Sequence, residues 1–133
     1  MPGFWVFDAG VFVRAALYDH SGAQDWLERV GTGAALVVPD LIWIEIANAV
    51  KRRLVAQRVT VEDADAILEC IAKFPAESRP LKELLPAAWA LARSTRLSAY
   101  DACYLALAAA AKATLVTFDA DFVGLYDRVE LLR

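Results

Sequence analysis

The sequence contains few of the residues on which zinc-type metal sites and nucleophilic catalysis usually depend. Its 133 residues include one histidine, His20, and two cysteines, Cys70 and Cys103. A single imidazole excludes a histidine-rich metal site, and a Ser-His-Asp triad would depend wholly on His20, which we predict to lie in a surface loop. Both cysteines fall in apolar helical patterns, where a free thiol behaves as a small hydrophobe. Two such cysteines exclude a disulfide framework and favour a reducing, cytoplasmic compartment.

The chain also lacks an excess of positive charge and a long uncharged segment. Its 14 Lys and Arg residues against 17 Asp and Glu leave a net charge of −3. This balance argues against binding of a polyanion mainly through a large basic face and favours the help of a metal ion. No uncharged stretch approaches the ~20 residues that span a bilayer, and the N-terminus has no signal-peptide pattern. We therefore predict a soluble protein without a membrane segment.

Apolar residues are abundant and make up 59% of the chain, against 23% that are charged. This composition excludes intrinsic disorder, and the length predicts a single domain over residues 1–133. Short apolar runs that end at turn residues are typical of strands buried on both faces of a parallel sheet. Such runs occupy residues 4–7, 35–38 and 113–117, with weaker candidates at 78–81 and 129–132.

Helical patterns fill the intervals between these strands. Thr60 and Ser98 each precede an aspartate by three residues, which is the spacing of a capping box at a helix start. Pro86 suits the first turn of a helix, and we expect a break in the first helical segment near Ser21-Gly22. The predicted helices cover residues 11–30 as one or two helices, 41–55, 60–74, a segment from near 86 to 96, and 98–112. Strand and helix thus alternate over the whole length. This alternation predicts a three-layer α/β/α sandwich around a mainly parallel central sheet.

Four acidic residues have surroundings that are unusual for surface charges. Asp8 and Asp119 each follow a predicted strand directly. Glu45 is the sole charge within residues 41–50, and Asp101 is the sole charge within residues 97–111. In open parallel sheets, ligands bind beyond the carboxyl ends of the strands. We therefore expect these four side chains to converge at one edge of the sheet.

Each of the four also has an ordinary structural explanation, which the sequence leaves open. Asp8 and Asp119 suit turns or helix N-caps. Asp101 lies three residues after Ser98, which is the spacing of a capping box. Glu45 begins a narrow polar stripe that suits a helix face in water.

Gathering four carboxylates is costly unless protons or a cation compensate their charge. Two unit charges ~4 Å apart repel by about 4 kcal/mol at an effective dielectric of ~20. A divalent cation would remove this repulsion, and ligands that are all oxygen favour Mg²⁺ or Mn²⁺ over zinc. The pattern therefore predicts a metal site formed by Asp8, Glu45, Asp101 and Asp119.

Basic residues near the helix that carries Glu45 are a further candidate feature. Lys51, Arg52, Arg53 and Arg58 would guide a nucleic-acid backbone toward the acids. Their other interpretation is a solvated helix end, where the helix dipole favours positive charge. The sequence leaves both open.

The same positions lie in motifs that resemble those of the PIN-domain family. The order and spacing are most similar to the VapC toxins of toxin–antitoxin operons, and the resemblance covers essentially the whole chain. The motifs are Asp8-Ala9 after the first strand, Glu45-x-x-Asn48 in a helix, YDACYLALA at residues 100–108, and Thr117-x-Asp119-x-x-Phe122.

This resemblance implies an α/β/α sandwich and a Mg²⁺- or Mn²⁺-dependent endoribonuclease that acts on single-stranded RNA. The four acids would form its catalytic site, with Asp8 and Asp101 as direct metal ligands. Thr117 and Asn48 would orient carboxylates or metal-bound water. The family also implies a homodimer and a small VapB-type antitoxin whose tail enters the acidic groove.

One position departs from the family pattern. Gly10, two residues after Asp8, stands where the family often has Ser or Thr, so a hydrogen bond to a metal ligand or water is lost. The departure favours a second interpretation, a catalytically weak or inactive PIN-like module whose acids bind Arg or Lys side chains of a partner. A third, a receiver-like phospho-acceptor domain, requires a Lys near the end of a late strand, whereas no Lys follows Lys112.

Overall fold

The computed structural model describes residues 3–133, so Met1 and Pro2 of the predicted domain lie outside the described residues. The strands are β1 (Phe4–Phe7), β2 (Ala35–Pro39), β3 (Glu77–Arg79), β4 (Thr114–Thr117) and β5 (Val129–Leu131). The helices are α1 (Ala9–Leu17), α2 (Ser21–Glu28), α3 (Leu41–Val55), α4 (Val61–Ala72), α5 (Leu81–Ser94) and α6 (Ala99–Ala111). A short 3₁₀ turn, Ala120–Phe122, follows β4.

The five strands form one parallel sheet in the order β3-β2-β1-β4-β5. Strands β1 and β4 are its centre, with Val6 opposite Leu115 and Phe7 opposite Val116, and all four side chains are fully buried. Helix α6 packs against β1, β2 and β4, and α5 packs on α6. Helix α1 also packs on β1 and β4 and contacts α2 and α3. The predicted α/β/α sandwich is confirmed.

The strand order also decides against the receiver-like interpretation. Receiver domains have the order 2-1-3-4-5, in which the third strand pairs with the first. Here β3 lies at the edge beside β2, and β4 pairs with β1. The receiver interpretation is therefore wrong.

Capping side chains set two helix starts as the sequence predicts. The hydroxyls of Thr60 and Ser98 accept hydrogen bonds from the backbone N–H groups of Asp63 and Asp101, each at 3.1 Å. Asp40 takes the N-cap position before α3 without a capping bond to its side chain. Its backbone is already helical, whereas a capping side chain requires an extended one.

Three local predictions are wrong. The break between α1 and α2 lies at residues 18–20, where Asp19 has a φ of 51° and His20 caps α2 by accepting a bond from the N–H of Ala23 at 3.1 Å. His20 lies in the connection between the two helices, as predicted, and it also caps α2. Helix α5 begins directly after Pro80, whose carbonyl accepts from Glu83, so Pro86 lies in its interior. Cys70 is exposed, although Cys103 is half-buried, and both thiols are free.

No helix within residues 3–133 combines the length and the apolar character that crossing a bilayer requires.

Candidate active site

The predicted acids lie at the edge of the sheet formed by the carboxyl ends of β1 and β4. Asp8 directly follows β1, and its N–H donates to the carbonyl of Val116 at 3.3 Å. Asp119 follows β4 by two residues, Asp101 lies in the first turn of α6, and Glu45 lies in the second turn of α3. Their charges act on one another: Asp101 and Asp119 raise the pKa of Asp8, and Asp101 raises that of Glu45. All four carboxylates are therefore neighbours in electrostatic terms.

Thr117 holds two of these acids in place. It is fully buried at the end of β4, and its hydroxyl donates a short hydrogen bond to Oδ2 of Asp8. The same hydroxyl oxygen accepts from the backbone N–H of Asp119 at 3.0 Å. Thr117 thus makes the contacts with carboxylate-bearing residues that an orienting group requires.

The other carboxylate oxygen of Asp8 has no protein partner. Oδ1 is buried and makes no hydrogen bond with any described residue. The pKa of Asp8 is raised to about 6, because burial and the charges of Asp101 and Asp119 raise it and the bond from Thr117 lowers it only in part. At neutral pH the group is therefore mostly ionised, and its Oδ1 lacks the compensation that buried charges normally have. A bound cation would supply that compensation.

Glu45 is held by a residue to which sequence reasoning assigned no role. The hydroxyl of Tyr104, a buried side chain of α6, donates a short hydrogen bond to Oε1 of Glu45 across 59 residues of sequence. Burial raises the pKa of Glu45, the Tyr104 bond opposes this, and the charge of Asp101 adds to it. The sequence feature that could have indicated this bond is a tyrosine in the apolar part of α6, because a buried phenol hydroxyl needs a hydrogen-bond partner.

The ordinary explanation is confirmed for Asp119, and for Asp101 the structure gives only the Ser98 half of the capping box. Ser98 caps the N–H of Asp101, and Oδ1 of Asp119 accepts from the N–H of Asp121 at 2.9 Å to form a tight turn. Nevertheless burial, then the charges of Asp119 and Asp121, raise the pKa of Asp101, which the Ser98 bond lowers only in part. Capping and membership of an acidic site therefore coexist. Asp121 was not predicted as a contributor.

Gly10 and Asn48, the two remaining predicted positions, have different surroundings. A Cβ atom built on Gly10 would lie 3.2 Å from Oδ1 of Asp8, so a Ser or Thr hydroxyl here would be next to the unpaired oxygen. Asn48 is exposed and lines an open cleft with Glu45 and Tyr100. Its side chain makes no hydrogen bond within residues 3–133, so its orienting role stays a prediction.

The carboxylate oxygens are the ligand type that a hard divalent cation prefers, although the side chains do not converge on one position. Within the described residues, no group of three or more His, Cys, Asp or Glu side chains is arranged so that it could hold a metal ion. The unpaired Oδ1 of Asp8 and the mutual repulsion of the acids are nevertheless the features that a cation would satisfy.

Substitution of Thr117 tests its contact with Asp8. Thr117→Val removes the hydroxyl at nearly constant shape, and a lost hydrogen bond to a carboxylate raises its pKa. We expect the pKa of Asp8, measured by carboxyl ¹³C NMR without metal, to rise above that of the wild type. Thr117→Ser retains the hydroxyl and should leave the pKa of Asp8 unchanged. Equal pKa values in the two variants would contradict the assignment.

Comparisons with known proteins agree with this geometry. A family model for the PIN domain matches residues 5–127. Ribonuclease VapC9 of Mycobacterium tuberculosis is 32% identical over 114 residues, which cover 86% of this chain and 84% of that protein.

Two solved structures have the same fold. In VapBC2 from Rickettsia felis, solved with a promoter DNA fragment, the matched chain covers 97% of both chains with a TM-score of 0.72 and 15% identity. In a toxin–antitoxin complex from Klebsiella pneumoniae the match covers 94% of both chains, with a TM-score of 0.66 and 20% identity. From the matched family model and the identity to VapC9, the chain belongs to the PIN-domain family, among its VapC-type members.

Proposed function

We propose that this chain is a Mg²⁺- or Mn²⁺-dependent endoribonuclease, the VapC-type toxin of a toxin–antitoxin pair. The observation that carries the proposal is the buried, unpaired Oδ1 of Asp8, beside three further carboxylates at one edge of the sheet. The names of the relatives add support, since VapC9 is a ribonuclease. The proposed substrate is the phosphodiester backbone of single-stranded RNA, and the active unit is the single PIN-like domain.

Asp8 and Asp101 are the proposed direct ligands of the ion, and Glu45 and Asp119 complete the site. A bound divalent cation supplies two kinds of chemistry, a lowered pKa for a bound water and charge compensation at the leaving oxygen. With it, a chain of net charge −3 can hold a phosphate.

The protein's own contribution is to hold the carboxylates in place. Thr117 orients Asp8 and, through the N–H that it accepts, the turn that carries Asp119. Tyr104 orients Glu45, and burial of its ring between the helices and the sheet restricts its motion. Bonds to β4 and α6 thus restrain Asp8, Glu45 and the turn that carries Asp119.

The test is cleavage of a fluorescently labelled single-stranded RNA by the purified chain. We expect cleavage with Mn²⁺ or Mg²⁺, none after chelation with EDTA, and recovery when excess Mn²⁺ is restored. Cleavage that persists in EDTA would show that the metal assignment is wrong. Absence of cleavage under all conditions, with the RNA intact, would show that the chain is not an active nuclease.

A second candidate function is the inactive PIN-like module that binds a protein partner through its acids. Two observations favour it: the lack of a hydroxyl at Gly10, and the open arrangement of the acids, in which no three such side chains of residues 3–133 could hold an ion. Calorimetric titration with Mn²⁺ separates the two functions. A nuclease binds the ion at neutral pH, whereas a module of this kind does not.

The family relationship also leads us to propose partners and a compartment. We propose a VapB-type antitoxin, because similar folds occur in toxin–antitoxin complexes, and a homodimer in the cytoplasm. An apolar groove lined by Leu41, Leu81, Leu85, Tyr100 and Cys103 offers a surface for such association. Leu85 and Tyr100 are 59% and 61% exposed, which is unusual for side chains of this size on one groove.

A further inference from the structure

A second cleft lies between α1 and α3 and opens at one end onto the acidic site. We call it the α1–α3 cleft, and its volume is about 490 Å³. The acidic end has Gly10 and Glu45, and the walls farther along have Arg14, Tyr18 and Arg52. Gly10, Arg14 and Tyr18 recur every four residues, so this wall extends about 12 Å away from Asp8 at 1.5 Å per residue. The cleft therefore leads from the carboxylates to a basic and aromatic region.

The arginines of this region have no carboxylate partners. Within residues 3–133, the ion pairs are Lys73–Glu69 and Arg79–Glu77, both at 3.3 Å, and neither involves the cleft. The guanidinium of Arg14 lies 4.5 Å from the ring centre of Phe118, and that of Arg53 lies 4.6 Å from the ring centre of Tyr18. Stacking holds these groups in place while leaving their positive charge uncompensated.

Two further observations point to a ligand. The Nε atom of Arg53, which lies behind the ring of Tyr18 and lines the neighbouring cleft, is buried and has no hydrogen-bond partner among the described residues. Tyr18, on which Arg53 stacks, is 57% exposed. An exposed aromatic ring beside unpaired guanidinium groups is the combination that binds single-stranded nucleic acid, through base stacking and phosphate contacts.

The helix dipole explains only part of this arrangement. Arg14 lies in the last turn of α1, and Arg52 and Arg53 lie in the last turn of α3, where positive charge is favoured. It does not explain why the two helix ends meet at one cleft, or why that cleft ends at the acids. Of the other basic residues predicted to guide a nucleic acid, Lys51 lines the cleft of Asn48, and Arg53 and Arg58 line a separate cleft with Asp63.

We propose that the α1–α3 cleft binds the single-stranded RNA next to the bond that is cut. Arg14 and Arg52 contact its phosphates, and Tyr18, supported by Arg53, stacks on a base. This inference rests on the proposed function and adds the site that holds the substrate. Because the net charge is −3, binding of a polyanion depends on this local cluster rather than on the overall field.

The experiment measures binding of a fluorescein-labelled, 12-nucleotide single-stranded RNA by anisotropy, in EDTA, over a range of NaCl concentrations. Each lost phosphate contact on a single strand lowers the slope of log affinity against log salt by about 0.7. We therefore expect R14Q/R52Q to bind the RNA at least about tenfold more weakly at low salt. The magnitude of its slope of log affinity against log salt should be smaller than that of the wild type by about 1.4. Y18A should bind about fivefold more weakly with an unchanged slope, since stacking involves no charge.

Two controls separate binding from stability. Arg29→Gln removes an arginine that also stacks on aromatic rings, those of Trp5 and Trp26, near the opposite edge of the sheet. It should leave the RNA affinity within about twofold of the wild type. R14K/R52K retains both charges and should recover most of the salt slope. Melting temperatures are measured for all variants, because a role confined to the helix dipole would lower stability and not affinity.

The outcomes for the cleft and for the proposed function are distinct. If RNA binding depends on the cleft but no Mn²⁺-dependent cleavage occurs, the proposed nuclease activity is wrong and the RNA-binding role of the cleft stands. If cleavage occurs and R14Q/R52Q raises its KM no more than R29Q does, the nuclease activity stands and the role of the cleft is wrong. The cleft is also overturned if R14Q/R52Q weakens binding of a labelled poly-Glu peptide but not of RNA, which would identify it as a site for an acidic protein.

Discussion

Replacing Asp101 with Asn is expected to lower Mn²⁺-dependent RNA cleavage by at least about 100-fold. Loss of a group that merely supports a metal ligand typically costs 10–100-fold in affinity or activity, so loss of a ligand should reach or exceed the upper figure. Asn retains the volume of Asp and its backbone N–H, which should still donate to the hydroxyl of Ser98 at 3.1 Å, so α6 should still begin at Ala99. The measurement is the initial rate of cleavage of labelled single-stranded RNA at saturating Mn²⁺.

Asp127→Asn is the matched control for this prediction. Asp127 is exposed and precedes β5, whose amino end lies at the opposite edge of the sheet, so its replacement should leave the rate unchanged. Circular dichroism and the melting temperature establish that the Asp101 variant is folded. A folded variant that cleaves at the wild-type rate would remove Asp101 from the mechanism.

Replacing Asp8 with Asn is expected to change how stability depends on pH. The pKa of Asp8 is about 6 in the folded chain, against 3.8 for an unperturbed Asp. Because the folded-state pKa is raised, the group favours the folded state below pH 4 and loses this contribution as the pH rises through 6. The full contribution, about 3 kcal/mol, is present only well below pH 4, because the unfolded group titrates near pH 3.8. The wild type should therefore lose about 2.4 kcal/mol more free energy of unfolding than Asp8→Asn between pH 4 and pH 8.

Urea denaturation in metal-free buffer at the two pH values measures this difference. Any pH-independent cost of the amide group cancels, since each protein is compared with itself. Added Mn²⁺ should stabilise the wild type at pH 8, by about 2.7 kcal/mol at 100 times the dissociation constant, and should not stabilise the variant. If both proteins show the same pH dependence, Asp8 is not the uncompensated buried charge described above.

Much of the fold could be predicted from the sequence because its signals are local. The apolar runs at β1, β2 and β4 end at turn residues, and the hydroxyls of Thr60 and Ser98 mark helix starts within four residues of sequence. The errors arise where two local signals compete. Pro80 and Pro86 both suit a helix start, and the carbonyl of Pro80, which accepts from Glu83, decides in favour of the first.

The position of the four acids could be predicted from the sequence, but their contacts could not. Strand ends and lone charges in two apolar helices indicated that the acids lie near one end of the sheet, while their role as metal ligands stays a prediction. Their partners are distant in sequence: Thr117 bonds Asp8 across 109 residues, and Tyr104 bonds Glu45 across 59. Such pairs depend on strand register and helix packing, which no local pattern encodes.

A crystal structure of the wild-type chain with Mn²⁺, with data collected at the manganese absorption edge, would show directly whether the acids bind an ion. We expect an anomalous peak between the carboxylates of Asp8 and Asp101, with Oδ1 of Asp8, which has no partner among the described residues, as a ligand. Clear electron density for Asp8, Glu45, Asp101 and Asp119 with no anomalous peak among them would contradict the proposed metal site.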